Sequence, residues 1–149
     1  MVKTPCIGIC STGIGDSVCR GCKRFAHEVI HWNSYTQDQQ QLIINRIDHF
    51  MQQIVSNKID IYDQKILLDQ IAYQQIKVDT SLSPQRWLYE LLRAGAAQIQ
   101  STQAYGFTVK EDWQRFSLEQ IKQFLDQDMY TLSCAHYERY IEPIHDNEK

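Results

Sequence analysis

The sequence predicts a mainly α-helical protein in which a short N-terminal four-cysteine metal-binding loop precedes a multi-helix body. Three observations predict it. Beyond residue 23, apolar residues recur at three- and four-residue spacing, the period of one helix face. Thr36 with Gln39 and Ser117 with Gln120 are capping-box patterns, and Ser83-Pro84 is a helix start with Pro at the first helical position. Cys6, Cys10, Cys19 and Cys22 all fall within the first 22 residues, as C-x3-C-x8-C-x2-C.

The elements follow in order. Residues 1–22 read as a loop organised by metal, because too few apolar residues lie there to hold a shape otherwise. A short helix is expected from Lys23 to Trp32, with Phe25, Val29 and Trp32 on one face. Asn33, Ser34 and Tyr35 read as a turn. The first capping box then opens a helix to about Ser56. Ile43, Ile47, Phe50 and Ile54 form its apolar stripe, widened by Ile44, Met51 and Val55. Ser56-Asn57-Lys58 is the expected boundary between a cysteine module, residues 1–56, and a helical body, residues 57–149; the alternative is that the two pack as one unit.

In the body, a helix is expected from Asp60 to Lys77, with Leu68, Ala72 and Ile76 on one face and Leu67 and Ile71 beside them. The next, from Pro84, buries Leu88, Leu91, Leu92, Gly95 and Ile99 and ends at Gly106 as its C-cap. Phe107 to Val109 is a candidate extended piece and is not assigned as a strand. The second capping box precedes Leu118, Ile121 and Leu125. A last short helix is expected over Leu132 to Ile141, with a frayed polar tail from Glu142 to Lys149.

Composition excludes some functions. The net charge is −3, whereas a protein that coats nucleic acid through phosphates is usually basic. The charge is uneven: Lys3, Arg20, Lys23 and Arg24 against Asp16 and Glu28 leave residues 1–31 at +2. No run approaches the roughly 20 apolar residues of a membrane helix, and no signal-peptide core is visible. The expected compartment is the cytoplasm, where thiols stay reduced and clustered cysteines ligate metals or do redox chemistry.

Four thiolates suit zinc or iron. Each close pair brackets a tight turn, and Ser11 to Val18 carry the chain from one pair to the other. Four thiolates on a dication leave about −2 at the site. Arg20, Lys23, Arg24 and Lys3 are the nearby counter-charges, and the positive end of the helix after Cys22 points at the sulfurs. Two other readings compete. The four are ordinary buried thiols, or Cys19-Arg20-Gly21-Cys22 is a redox pair, which leaves Cys6 and Cys10 unexplained. Spacing alone leans toward zinc. The middle loop of eight residues is shorter than common zinc-finger loops and leaves room for a cluster.

Pro5-Cys6-Ile7-Gly8-Ile9-Cys10, then Cys19-Arg20-Gly21-Cys22-Lys23-Arg24, then Glu28 and Trp32, resemble a bacterial family. It is the domain-of-unknown-function family numbered twelve eighty-nine, whose short members are labelled predicted Fe–S proteins. The resemblance covers about residues 5–55. The family usually has Thr after the arginine, where this chain has Phe25. The resemblance implies an iron–sulfur centre on Cys6, Cys10, Cys19 and Cys22, so zinc and iron–sulfur stand near even. Since Arg24 and Glu28 match its motif, it also implies that Arg24 neutralises the sulfurs while Glu28 orients it. Arg20 and Lys23 complete the expected surrounding shell.

Other residues have plainer readings. His27 and His31 share a helix face but read as part-exposed histidines, because four cysteines already fill a tetrahedral shell. Arg24 and Glu28 alternatively form an ordinary i,i+4 ion pair. Trp32, Trp87 and Trp113 read as core, and Cys134 as a buried thiol. Tyr130, Tyr137 and Tyr140 give the C-terminus an aromatic surface that packing explains as well as a partner does. No nucleophile–base set, phosphate-cradling loop or paired catalytic carboxylates stands out, so catalysis is not expected. The expected function is a cytoplasmic accessory or adaptor factor with an unknown protein partner and a structural metal centre. The alternatives are an iron–sulfur electron carrier or redox sensor serving a reductase and, last, a nucleic-acid-binding zinc module using Arg20, Lys23 and Arg24.

Overall fold

The computed structural model describes residues 3–8 and 10–147 and is mainly helical. Ile9 of the cysteine motif and Glu148 and Lys149 of the tail lie outside the described residues. Two compact units form: Met1–Ile47 with Asp128–Lys149, and Asp48–Gln127. The sequence places its boundary at 56–58. The units instead divide inside two continuous helices, where no turn residue marks a break.

In the first unit the cysteine loop runs to Phe25, with a 3-10 turn over Thr12–Ile14. Helix α1 spans Ala26–His31 and continues into a 3-10 turn over Trp32–Ser34. It starts three residues later than expected because Lys23 has φ +68°, a left-handed backbone that cannot lie inside a helix. Helix α2, Gln37–Lys58, opens on the expected capping box. Thr36 Oγ1 accepts from the Gln39 amide at 3.2 Å, and the Gln39 side chain accepts from the Thr36 amide at 2.8 Å. Ile43 and Ile47 are buried as the stripe predicts, together with Val18, Phe25 and Trp32. The Trp32 carbonyl accepts from the Gln40 side chain at 2.8 Å, tying α1 to the first turn of α2.

In the second unit α2 ends with Met51, Ile54 and Val55 buried. The segment after it is a strand, not the start of a helix. Strand β1, Ile59–Ile61, pairs antiparallel with β2, Phe107–Val109, in the register Ile59↔Val109, Asp60↔Thr108, Ile61↔Phe107. Non-local pairing of this kind leaves no periodic signal in either three-residue segment. Helix α3 is confined to Gln64–Tyr73, capped by Asp63, whose carboxylate accepts from the Ile66 amide at 3.1 Å. Its buried line is Leu67 and Ile71, while Ala72 on the expected face is exposed.

Helix α4, Pro84–Gly95, starts as predicted, with Ser83 Oγ accepting from the Arg86 amide at 3.2 Å. Ser83 is itself held by buried Asp48 of α2, to which its hydroxyl donates at 2.7 Å. Trp87, Leu88, Tyr89, Leu91 and Leu92 are buried, and the Trp87 indole donates to the Asp79 carbonyl at 3.1 Å. The helix ends at Gly95 rather than Gly106, because Gly95 takes extended φ −171° and a 3-10 turn follows. Gly106 instead ends a 3-10 turn over Gln103–Tyr105 with φ +77°.

Helix α5, Leu118–His136, opens on the Ser117–Gln120 box and absorbs the first half of the separate last helix expected from Leu132. Ile121 and Leu125 line its part of the second unit, and Met129 and Ser133 its part of the first. A π-helical stretch over Tyr137–Ile141 leads into α6, Glu142–Asn147, so the tail expected to fray is helical to residue 147. Among the described residues no helix is long and apolar enough to cross a membrane.

Candidate metal centre

The second cysteine pair is built by the backbone on either side of it. Val18 and Phe25 form an antiparallel bridge that closes the base of the loop. The Cys19 amide donates to the Arg24 carbonyl at 2.8 Å and the Ala26 amide to Ser17 at 2.8 Å. At the tip, the Lys23 amide donates to the Cys19 carbonyl at 2.9 Å, and the left-handed Lys23 backbone turns the chain out. Cys19 and Cys22 are buried and hydrogen bonded to each other.

The environment favours thiolate at Cys19 and opposes it at Cys22. Burial pushes the Cys19 thiol up, but amide donors from Cys22, Ser11 and Gly21 outweigh it and hold the group at about 7. Cys22 is pushed above the ordinary thiol value by burial, with Arg24 working against that shift. Arg24 is buried and its Nε donates to Cys22 Sγ at 3.2 Å. The guanidinium also lies 5.0 Å from the centroid of the Trp32 ring. One positive group is therefore held against the Cys22 sulfur by an aromatic wall.

Cys6 and Cys10 are exposed. The Gly8 amide donates to Cys6 Sγ at 3.4 Å, an amide–sulfur turn of the kind that frames a ligating thiolate. Cys10 Sγ lies 3.1 Å from Thr12 Oγ1. Among the described residues no three His, Cys, Asp or Glu side chains stand close enough together to hold a metal ion. The structure thus brings Cys19 and Cys22 together and leaves Cys6 and Cys10 apart from them. If a metal were bound by thiolates here, Cys19 with its amide donors and Cys22 with Arg24 would be the two sulfurs the structure already brings together to hold it.

The other residues expected around the sulfurs take different partners. Arg20 is exposed, pairs with Asp16 at 3.2 Å and lies 4.6 Å over the Tyr130 ring. Lys23 is buried and folds its amine back onto the carbonyls of Arg20 and Gly21, the latter at 3.0 Å. Glu28 neither orients Arg24 nor forms the i,i+4 pair with it. Its carboxylate takes Arg46 of α2 in a two-pronged pair at 2.6 and 2.7 Å, and accepts from the Phe25 amide at 2.8 Å. The positive end of α1 is thereby answered by Glu28 rather than by the sulfurs. Phe has no acceptor side chain, so only the carboxylate half of a capping box operates here.

Sequence reading missed Arg46. Arg46 interrupts the apolar stripe between Ile43 and Ile47, which marks a charge on the buried face but does not name its partner. His27 is half-buried beside Phe25 with ring centroids 5.9 Å apart, and His31 is exposed. His136 stacks on Phe25 at 5.9 Å, and burial together with the Arg46 charge lowers its pKa. Tyr137 meets Phe25 edge-on at 5.3 Å, so it belongs to the packing of this unit. Cys134 is half-buried rather than buried.

A helical chain that opens on a buried cysteine turn with a guanidinium on its sulfur is the class defined so far. Residues 4–51 match the family described as "Protein of unknown function (DUF1289)", the family the cysteine motif resembles. No curated protein and no solved structure matches the chain.

Proposed function

We propose that the chain is a small cytoplasmic metal-binding protein that acts as an accessory or adaptor factor for a protein partner. In this reading Cys6, Cys10, Cys19 and Cys22 together hold one metal centre, zinc or an iron–sulfur cluster. Four protein sulfurs close the shell and leave no position for a substrate, so the centre is structural. Its chemistry is to cross-link an N-terminal segment that has little apolar core of its own. The carrying observation is the Cys19–Cys22 turn, where amide donors favour thiolate at Cys19 and Arg24 donates to Cys22. A redox-active iron–sulfur cluster at the same sulfurs would make the chain an electron carrier or redox sensor instead.

Metal analysis of protein purified without oxygen tests the proposal. The wild type is expected to carry one centre per chain, brown if iron–sulfur and colourless if zinc. Cys10→Ser and Cys22→Ser are each expected to lose most of the metal and to become protease-sensitive within residues 1–22. Full occupancy in both variants would refute the four-ligand assignment.

A further inference from the structure

We propose that Glu28 and Arg46 are positioning residues that hold the Cys19–Cys22 turn in its ligating shape before a metal arrives; the metal half of this statement rests on the four-thiolate reading above. Phe25 is the residue on which the argument turns. It pairs with Val18, the residue just before Cys19, and so closes the loop that carries both sulfurs. Its amide is fixed by Glu28 Oε1 at 2.8 Å. Its ring is covered by the Arg46 guanidinium, 4.0 Å from the centroid. Arg46 in turn grips both oxygens of Glu28. One part-buried ion pair therefore fixes Phe25 by its backbone and by its ring at once.

The consequence follows from charge and geometry. Glu28 is 5% exposed, so its carboxylate needs both partners to remain buried. Without Arg46 the carboxylate turns toward water and releases the Phe25 amide. The bridge to Val18 and the Cys19–Arg24 and Ala26–Ser17 bonds then lose their anchor on α2. Arg46 touches neither sulfur in this scheme; it acts through Glu28 and Phe25 on the turn that presents them.

Two measurements on full-length protein test this. The first is amide hydrogen exchange at Cys19 and Ala26 in metal-free protein. The second is metal retention against a competing chelator. Arg46→Met is expected to speed exchange at both amides about ten-fold and to weaken retention about ten-fold, with helix content unchanged. Glu28→Gln keeps an oxygen for the Phe25 amide but loses the charge, and should give smaller shifts of the same sign. Arg86→Met breaks a comparable pair with Glu90, 3.0 Å apart in the other unit, and should change neither quantity. Unchanged exchange in both Arg46→Met and Glu28→Gln overturns the proposal. So does faster exchange with retention unaltered, because the metal alone would then order the turn. If Arg46→Met loses helix content, Glu28→Gln decides by the same criteria. A wild type that holds no metal sinks the four-thiolate reading and leaves the exchange rates to decide this one.

Discussion

Arg24 has two neighbours that together explain why it is buried. Cys22 Sγ accepts from its Nε, and the Trp32 ring lies against its face. A sulfur ligand that accepts a charged hydrogen bond carries less negative charge, which stabilises thiolate and shifts any redox potential upward. Arg24→Ala should therefore cut metal retention about ten-fold or, for a cluster, lower its reduction potential. Arg86→Ala, whose side chain pairs with Glu90 in the other unit, should do neither. Chelator competition and a redox titration of both variants check this. Equal behaviour of the two would reduce Arg24 to a packing residue. Arg24 was legible in the sequence because it lies two residues past a cysteine. The partner of Glu28 was not, since Arg46 lies 18 residues away on another helix.

Among the elements, the short β1–β2 pair depends on one backbone position. Gly106 has φ +77°, and its carbonyl accepts from the amides of Tyr62 and Asp63 at 3.0 and 3.1 Å. A Cβ added there would run into the Asp63 carbonyl oxygen. Gly106→Ala should thus destabilise the second unit by about 2 kcal/mol, combining left-handed strain with that clash. Chemical denaturation followed by Trp fluorescence measures it, and a midpoint equal to wild type would show that the turn simply relaxes. Helix starts were legible where a capping box or a Ser-Pro start lies next in sequence, as at Thr36, Ser83 and Ser117, and not at Asp63, whose cap of α3 stands alone. Helix ends were less so. Neither Gly95 nor the strand at Ile59 announces itself, because a backbone bend and a distant pairing partner decide them.

At the scale of the whole molecule, the helices have reasons to form that owe nothing to the cysteines. In the second unit Leu67, Ile71, Leu88, Leu92, Phe107, Ile121 and Leu125 are all at most 2% exposed. Burial at roughly 25 cal/mol per Å² of apolar surface makes such a set the dominant stabilising term. Adding a strong chelator to the full chain should leave most of the far-ultraviolet helical signal intact. Loss should be confined to protection of the cysteine loop. A collapse of the helical signal on chelation would show that the helices depend on the metal as well. Asp48 tolerates burial on α2 because its carboxylate accepts from the amide and hydroxyl of Ser83 and so keeps its hydrogen bonds.

Sequence by itself determined the helical class, the capped helix starts, the apolar stripe of α2 and the identity of the cysteine segment. These are local properties, set by periodicity, by side chains that bond their own backbone within four residues, and by residue type. Tertiary structure alone decided which charges pair and where the compact units divide. Glu28 chooses Arg46 over the nearer Arg24 because α2 brings a guanidinium to both its oxygens, whereas Arg24 is turned onto the sulfur and Trp32. The first unit recruits Asp128–Lys149 because the far end of α5 supplies Met129, Ser133 and His136, the last stacked on Phe25. Such contacts join residues separated by most of the chain, and no pattern within either segment records them.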